Sequence, residues 1–402
     1  MFKRMAMLLF LCLSLCGVVH AQWHEVSTCG VKRFHVVQET GDVYAITENN
    51  GILKSIDGGV VWVPKNNGID LSNPDIKTGL SCMASDNSGN IFLAVSYAWK
   101  FYRSSDGGDT WQETSATGFP TDRFAAMVFD SYTNALFLTS EGSGVYKSTD
   151  LGENWQSMWG DWYVYSIYSG KANASGTTGM LLIGTYYENL MKSVDGGATW
   201  NTKGGEYWLT SIISDPEDYL YAISDDAVYR SEDYGETWEK KFPSVNFGGP
   251  YVFMFYDEEH SRILAAGGSC TAEVKPILFY SSDRGETWES EQVSPGPDEI
   301  STDVAALPGG IIIVGTNKGI HRQGPPPPGD INGDFNVDIS DVILCLRVAI
   351  SLPVTIGEVT YGPPDEYPQE LIDIADMNDD KAVNISDVIL ILRKAIGLAE
   401  ET

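Results

Sequence analysis

Six copies of one short pattern, Ser-x-Asp-x-Gly-x-x-Trp, run through the chain. They fall at Ser55, Asp57, Gly59 and Trp62; at Ser104, Asp106, Gly108 and Trp111; and at Ser148, Asp150, Gly152 and Trp155. They return at Ser193, Asp195, Gly197 and Trp200; at Ser231, Asp233, Gly235 and Trp238; and at Ser281, Asp283, Gly285 and Trp288. Each element of the pattern suits a tight hairpin turn. An Asp side chain accepts backbone N–H groups inside a turn. Gly takes a positive φ at little cost. Trp then packs its large face on the sheet as the outgoing strand begins.

Each copy follows three short apolar runs. A strand such as Val145-Tyr146-Lys147 or Val228-Tyr229-Arg230 leads into the turn. Before it lies Leu220-Tyr221-Ala222-Ile223, and before that Leu209-Thr210-Ser211-Ile212-Ile213. With the Trp-bearing strand, each unit has four strands. Successive turn aspartates stand 38 to 50 residues apart, the ~40–50-residue period of a β-propeller blade. A seventh unit, with strands at Val304-Ala305-Ala306-Leu307, Ile311-Ile312-Ile313-Val314 and Gly319-Ile320-His321-Arg322, has no turn motif or Trp after it. The isolated segment Trp23-His24-Glu25-Val26 reads as its missing fourth strand. Such closure leaves no open sheet edge. The expected fold is all-β: a seven-bladed propeller over residues 22–322, closed by an N-terminal strand. The alternative is six blades with an unpaired end.

The turns resemble the Asp-box, or BNR, repeats of sialidases, sortilin-type receptors, photosystem II assembly factors and xyloglucan-degrading hydrolases. The resemblance spans residues 31–322. In those families the box joins the third and fourth strands at the rim of a blade and is structural. The resemblance therefore implies that these Ser and Asp residues are not catalytic.

A proline-rich linker, residues 323–328, favours a stiff polyproline spacer. Beyond it an acidic loop occurs twice. The first offers Asp330, Asn332, Asp334, the Asn336 carbonyl, Asp338 and Asp341; the second offers Asp376, Asn378, Asp380, the Ala382 carbonyl, Asn384 and Asp387. These are loop positions 1, 3, 5, 7, 9 and 12, the oxygen spacing that wraps a calcium ion. Nearly the same helical sequence follows each copy, Ser340-Asp341-Val342-Ile343-Leu344 and Ser386-Asp387-Val388-Ile389-Leu390. Two calcium ions are expected. The pair resembles a type I dockerin over residues 329–398, a small α-helical domain. That resemblance implies a cohesin partner, faced by Ile339, Ser340, Ile385 and Ser386, with Arg347, Arg393 and Lys394 as weaker candidates. One departure stands out. The sixth loop position, usually Gly, is Phe335 in one copy and Lys381 in the other.

The charge balance narrows the partners. With 26 Lys and Arg against 55 Asp and Glu, the net charge is -29. Such a chain repels phosphate backbones, so nucleic acid is excluded as a partner. Lys3 and Arg4, an apolar run and Ala21 read as a signal peptide over residues 1–21, and no later segment is apolar enough to span a membrane. The mature chain is expected outside the cytoplasm. Its cysteines, Cys29, Cys82, Cys270 and Cys345, show no metal-binding spacing and read as isolated core thiols.

No catalytic acid pair or nucleophile motif is recognisable, so catalytic residues are unknown. Arg33, Arg123, Trp159, Trp162, Tyr163, Tyr207, Trp208 and Tyr251 stand before or at the start of inner strands. Arg33 and Arg123 occupy matching places before Phe34 and Phe124. Such residues rim one mouth of a propeller, where aromatic faces with polar partners bind sugars or peptide side chains. The reading is an exported glycan-capturing propeller attached by its dockerin to a cohesin-bearing complex. The alternative is a dockerin-borne glycoside hydrolase.

Overall fold

The computed structural model describes residues 23–160, 163–186, 190–204, 209–224, 227–241, 252–268, 276–294, 299–333, 337–356, 359–362 and 367–396. The chain divides into two compact units, Met1–Lys54 with Val63–Gly324, and Ser55–Trp62 with Pro325–Thr402. The first unit holds seven four-stranded antiparallel sheets, six of them formed by four consecutive strands. In the seventh, the strands Ser301–Leu307, Ile311–Thr316 and Ile320–Gln323 are completed by His24–Ser27. His24 pairs with Arg322 and Ser27 with Ile320. The first and last strands of the unit thus close the ring. The third strand of that blade runs to Gln323, one residue beyond the boundary expected from sequence.

Side-chain alternation explains the packing. In the strand Ile91–Val95, Ile91, Leu93 and Val95 join Tyr44, Ile46 and Ile52 of the blade before. Phe92 and Ala94 join Phe124, Leu136 and Leu138 of the blade after. Successive residues point to opposite faces, so a strand sandwiched between two blades is apolar at every position. The same arrangement recurs around the ring.

The second unit packs the helices Ile339–Ala349, Gln369–Ala375 and Ile385–Ala395 with the hairpin Val354–Ile356 and Val359–Tyr361. Its own core gathers Ile331, Val342, Cys345, Val348, Leu371, Ala375, Val388 and Ile391. No helix among the described residues is long and apolar enough to cross a membrane.

Candidate functional site

The Asp boxes are closed hydrogen-bond circuits. In all six, the serine Oγ donates to aspartate Oδ1 at 2.7–2.9 Å. The same Oγ accepts the glycine N–H at 2.8–2.9 Å. Oδ1 also accepts the N–H four residues on. In five boxes Oδ2 takes a side-chain donor, from Thr110, Asn154, Thr199, Thr237 or Thr287. In the first box Val61 fills that position, and a valine has no donor to offer. The box glycines sit at φ 78–90°, each after another left-handed residue at 58–71°. That preceding residue is Leu151, Tyr234 or Arg284 in three boxes, so the turn imposes the conformation on ordinary side chains. The Thr110 hydroxyl and amide hold Asp106 down at about 2, and those of Thr199 do the same for Asp195. In five of the six boxes both carboxylate oxygens are engaged in the turn.

A second set of turn aspartates escaped the sequence reading. Asp86 and Asp215 each accept two N–H groups of the turn between the first two strands of a blade, at 2.9 Å. Asp130 and Asp257 accept one such N–H, from Thr133 and His260. Among the described residues the element occurs in these four blades only, which hides its period.

The mouth of the propeller is shaped by β-bulges. The innermost strands of five blades slip register at Lys32, Ser81, Ala125, Tyr165 and Thr302. A bulge re-aims a side chain and bends its strand. Lys32, Ser81, Ala125 and Tyr165 line one cavity of about 530 Å³, with Arg33, Glu48, Tyr97, Arg123, Glu141 and Phe253. Arg33 and Arg123 therefore do meet at one site. They are not equivalent, however. Arg123 corresponds to Gly30, since Glu141 N–H donates to the Arg123 carbonyl as Glu48 N–H does to Gly30. Arg33 corresponds to Ala126, beyond the bulge. The bulge displaces the register on which the sequence match of these arginines relied.

Each cation is held. The Arg33 guanidinium lies 3.9 Å from the centre of the Phe253 ring and donates to the Ala125 carbonyl at 3.3 Å. Lys32 Nζ donates to the Thr78 carbonyl at 2.7 Å, and burial lowers its pKa. Arg123 pairs with Glu141 at 3.3 Å while its side chain stays 58% exposed. Burial raises the Glu141 pKa despite Arg123. Behind the mouth, Asp303 accepts N–H bonds from Phe34 and Val304 at 2.8 Å, which ties the seventh blade to the first. Burial pushes its carboxyl up to about 6, against the pull of Arg33. Asp303 was not foreseen, because nothing in its sequence neighbourhood marks it.

The other candidates divide. Tyr163 is exposed beside the mouth and stacks on Tyr165 at 6.4 Å, with Tyr186 edge-on at 6.3 Å. Trp159 ends the outer strand Gln156–Trp159 and packs with Val145 and Val164, away from the lining. Trp162, Tyr207, Trp208 and Tyr251 lie outside the described residues, as do Asp334, Phe335, Asn336, Cys270 and residues 1–21. Cys82 and Cys345 are buried free thiols; Cys29 is half-buried and also free.

In the second unit, both loops lead into a capping box. Asp338 and Asn384 cap their helices, and Asp341 and Asp387 return bonds to the cap backbone. Asp341 also accepts from Ile331 and Asn332, and Asp387 from Met377. In the second loop, Asp376 accepts the Asp380 and Lys381 N–H groups. Asn378 Nδ2 lies 3.1 Å from Asp380 Oδ2, and Asn384 Nδ2 lies 3.0 Å from the Ala382 carbonyl. In both contacts the asparagine amide donates to a loop oxygen. Among the described residues no group of three or more His, Cys, Asp or Glu side chains is placed to hold a metal ion. Lys381 occupies the sixth position at φ 66°, the left-handed conformation for which glycine is usual.

Ile339 and Ile385 are each 60% exposed, beside exposed Ser340 and Ser386. Arg347 and Arg393 are exposed, whereas Lys394 is half-buried. Arg347 Nε bonds the Pro353 carbonyl and Lys394 Nζ that of Pro328. The exposed apolar surface extends further than the sequence indicated, through Ile343, Leu346 and Ile350 and through Ile389, Leu392 and Ile396.

Comparison with known proteins agrees with the propeller. The BNR/Asp-box repeat family matches residues 279–290, the sixth turn. The chain is a seven-bladed propeller with a matched Asp-box repeat in its sixth blade. No curated protein matches it. Among solved structures it is similar to the GH74 enzyme of Niastella koreensis, with TM-score 0.60 and 19% identity over 74% of this chain and 53% of that one. It is similar to the GH74 xyloglucanase of Xanthomonas campestris, with TM-score 0.58 and 18% identity over 74% and 53%. YCF48 bound to D1 peptide gives TM-score 0.54 and 15% identity over 75% of this chain and 96% of that one. The chain spans about half the length of the two GH74 structures. At these identities the likeness is one of fold.

Proposed function

We propose that the protein is an exported, glycan-capturing propeller that a calcium-dependent dockerin attaches to a cohesin-bearing extracellular complex. The observation that carries the reading is the duplicated capped helix with its solvent-facing isoleucines. A small unit with its own core rarely leaves large apolar side chains facing water twice over unless a partner covers them. Calcium would be held by Asp330, Asn332, Asp334, Asn336, Asp338 and Asp341, and by Asp376, Asn378, Asp380, Ala382, Asn384 and Asp387. Its role is to hold the clustered oxygens together and so to order the helices. The propeller supplies the mouth, where tyrosines and hydrogen-bonding cations suit a sugar. The solved glycoside hydrolases of like fold agree with that choice.

Pull-down with a panel of cohesins tests the attachment. Retention in calcium and release on chelation are expected. Ile339→Asp with Ile385→Asp should abolish it, whereas either alone should be tolerated, since the copies present equivalent faces. Retention that ignores chelation would count against the reading. Hydrolysis is the second reading, favoured by the raised pKa of Glu141 at the mouth. A general acid needs such a shift. Release of reducing sugar from plant, chitin or sialylated glycans would establish it.

A further inference from the structure

The two ends of the propeller differ in charge. The cavity at the bulged mouth is lined by Lys32, Arg33 and Arg123, with Glu48 and Glu141. The cavity of about 680 Å³ lined by the turns between first and second strands has Asp215, Asp257, Glu258 and Glu259, and no Lys or Arg among its described lining. A chain with twice as many acids as bases thus reverses its balance at one place. That lining carries three cations against two carboxylates, a local excess of positive charge that favours an anionic ligand.

The cations also sit beside rings. Arg33 lies on Phe253. Tyr97 lines the cavity and is 49% exposed. Tyr165 lines it too and stacks with Tyr163. Planar guanidinium groups match a carboxylate bidentately, and ring faces take the apolar face of a pyranose. Among the described residues the Arg123 guanidinium pairs with Glu141, at 3.3 Å, and its side chain remains largely in solvent. Its fork can turn to a ligand.

We infer that the bulged mouth selects a carboxylate-bearing oligosaccharide, a uronic-acid glycan, over a neutral one, with Arg123 the principal carboxylate contact. The inference rests on the reading of this mouth as a glycan site and adds the ligand's charge. A neutral chain such as xyloglucan would bring no carboxylate to the exposed Arg123.

Calorimetric titration of the full chain with trigalacturonate, its methyl ester and a xyloglucan heptasaccharide tests the inference. The acid and its ester share the sugar chain and differ at the carboxyl, where the ester removes the charge and adds a methyl group. The acid should bind at least about tenfold more tightly than the ester, and its affinity should fall as salt rises. Arg123→Ala should weaken the acid about tenfold and leave the ester unchanged, with Arg123→Lys between them. Equal affinity for acid and ester, or an Arg123→Ala variant that keeps the preference, overturns the charge selection while the glycan site stands. If none of the three binds, the glycan reading itself fails. Binding of a hexaglutamate peptide as tightly as the acid sugar also overturns the inference, since the mouth would then read charge without the sugar.

Discussion

Asp boxes and the loops of the C-terminal unit use the same residue types to opposite ends. In the box, Asp150 is answered within the turn by the Ser148 hydroxyl, the Asn154 amide N–H and the Asn154 side chain. In the second loop of the C-terminal unit, Asp376, Asp380 and Asp387 also accept N–H groups of the loop, but these three carboxylates share twelve residues. A lone carboxylate answered by neutral donors completes a turn. Carboxylates crowded into one short loop repel one another, and on the proposed reading a cation relieves that repulsion.

The largest effect expected on the box side comes from its tryptophan. Trp155 is buried against Phe101 and Phe119, with centroids 5.1 and 5.5 Å away. Trp155→Ala should destabilise the propeller by ~3–5 kcal/mol, read as a lowered melting temperature, without selective loss of ligand binding. Ser148→Ala comes next. It removes the hydroxyl between Asp150 and the Gly152 N–H and should cost ~1–3 kcal/mol through the groups left unanswered. On the loop side, Lys381→Gly relieves a left-handed residue and should gain ~1 kcal/mol, seen as a several-fold tighter calcium affinity.

The smallest effect is that of acid on the boxes. Asp106 and Asp195 titrate at about 2 in the fold, below the ordinary carboxylate value. A depressed pKa means that their contribution is complete above about pH 4 and is lost as pH falls through about 2. Asp303 runs the other way. Its pKa is raised to about 6, so its effect on stability worsens as pH rises from about 4 to 6 and is level above that. Asp303→Asn should remove this second slope from a plot of melting temperature against pH.

Much of the ring was legible because its turns repeat with four fixed residues. Closure was legible too, since Trp23-His24-Glu25-Val26 had no other partner; the paired strand is His24–Ser27. The bulges were not, because Lys32, Ser81, Ala125, Tyr165 and Thr302 share no side-chain chemistry. A bulge is set by backbone register, and the misalignment of Arg33 with Arg123 follows from that. Trp159 was misplaced for a different reason: its neighbours in sequence lead to the mouth, but it closes the outer strand. Ile339 and Ile385 were legible, but the exposed apolar residues further along each helix were hidden by composition. With Val342, Cys345 and Val348 buried and Ile343, Leu346 and Ile350 exposed, the helix is apolar on both faces, and periodicity alone does not say which one is covered.

Calcium calorimetry on the full chain, after chelation, tests the contrast between the two kinds of aspartate most directly. Heat should be released at about micromolar to millimolar calcium, with the first loop, richer in aspartate, binding more tightly than the second. The melting transition of residues 329–398 should rise with calcium while that of the propeller stays where it was. A chain that takes up no calcium over that range, or whose propeller transition moves with the ion, would contradict the account.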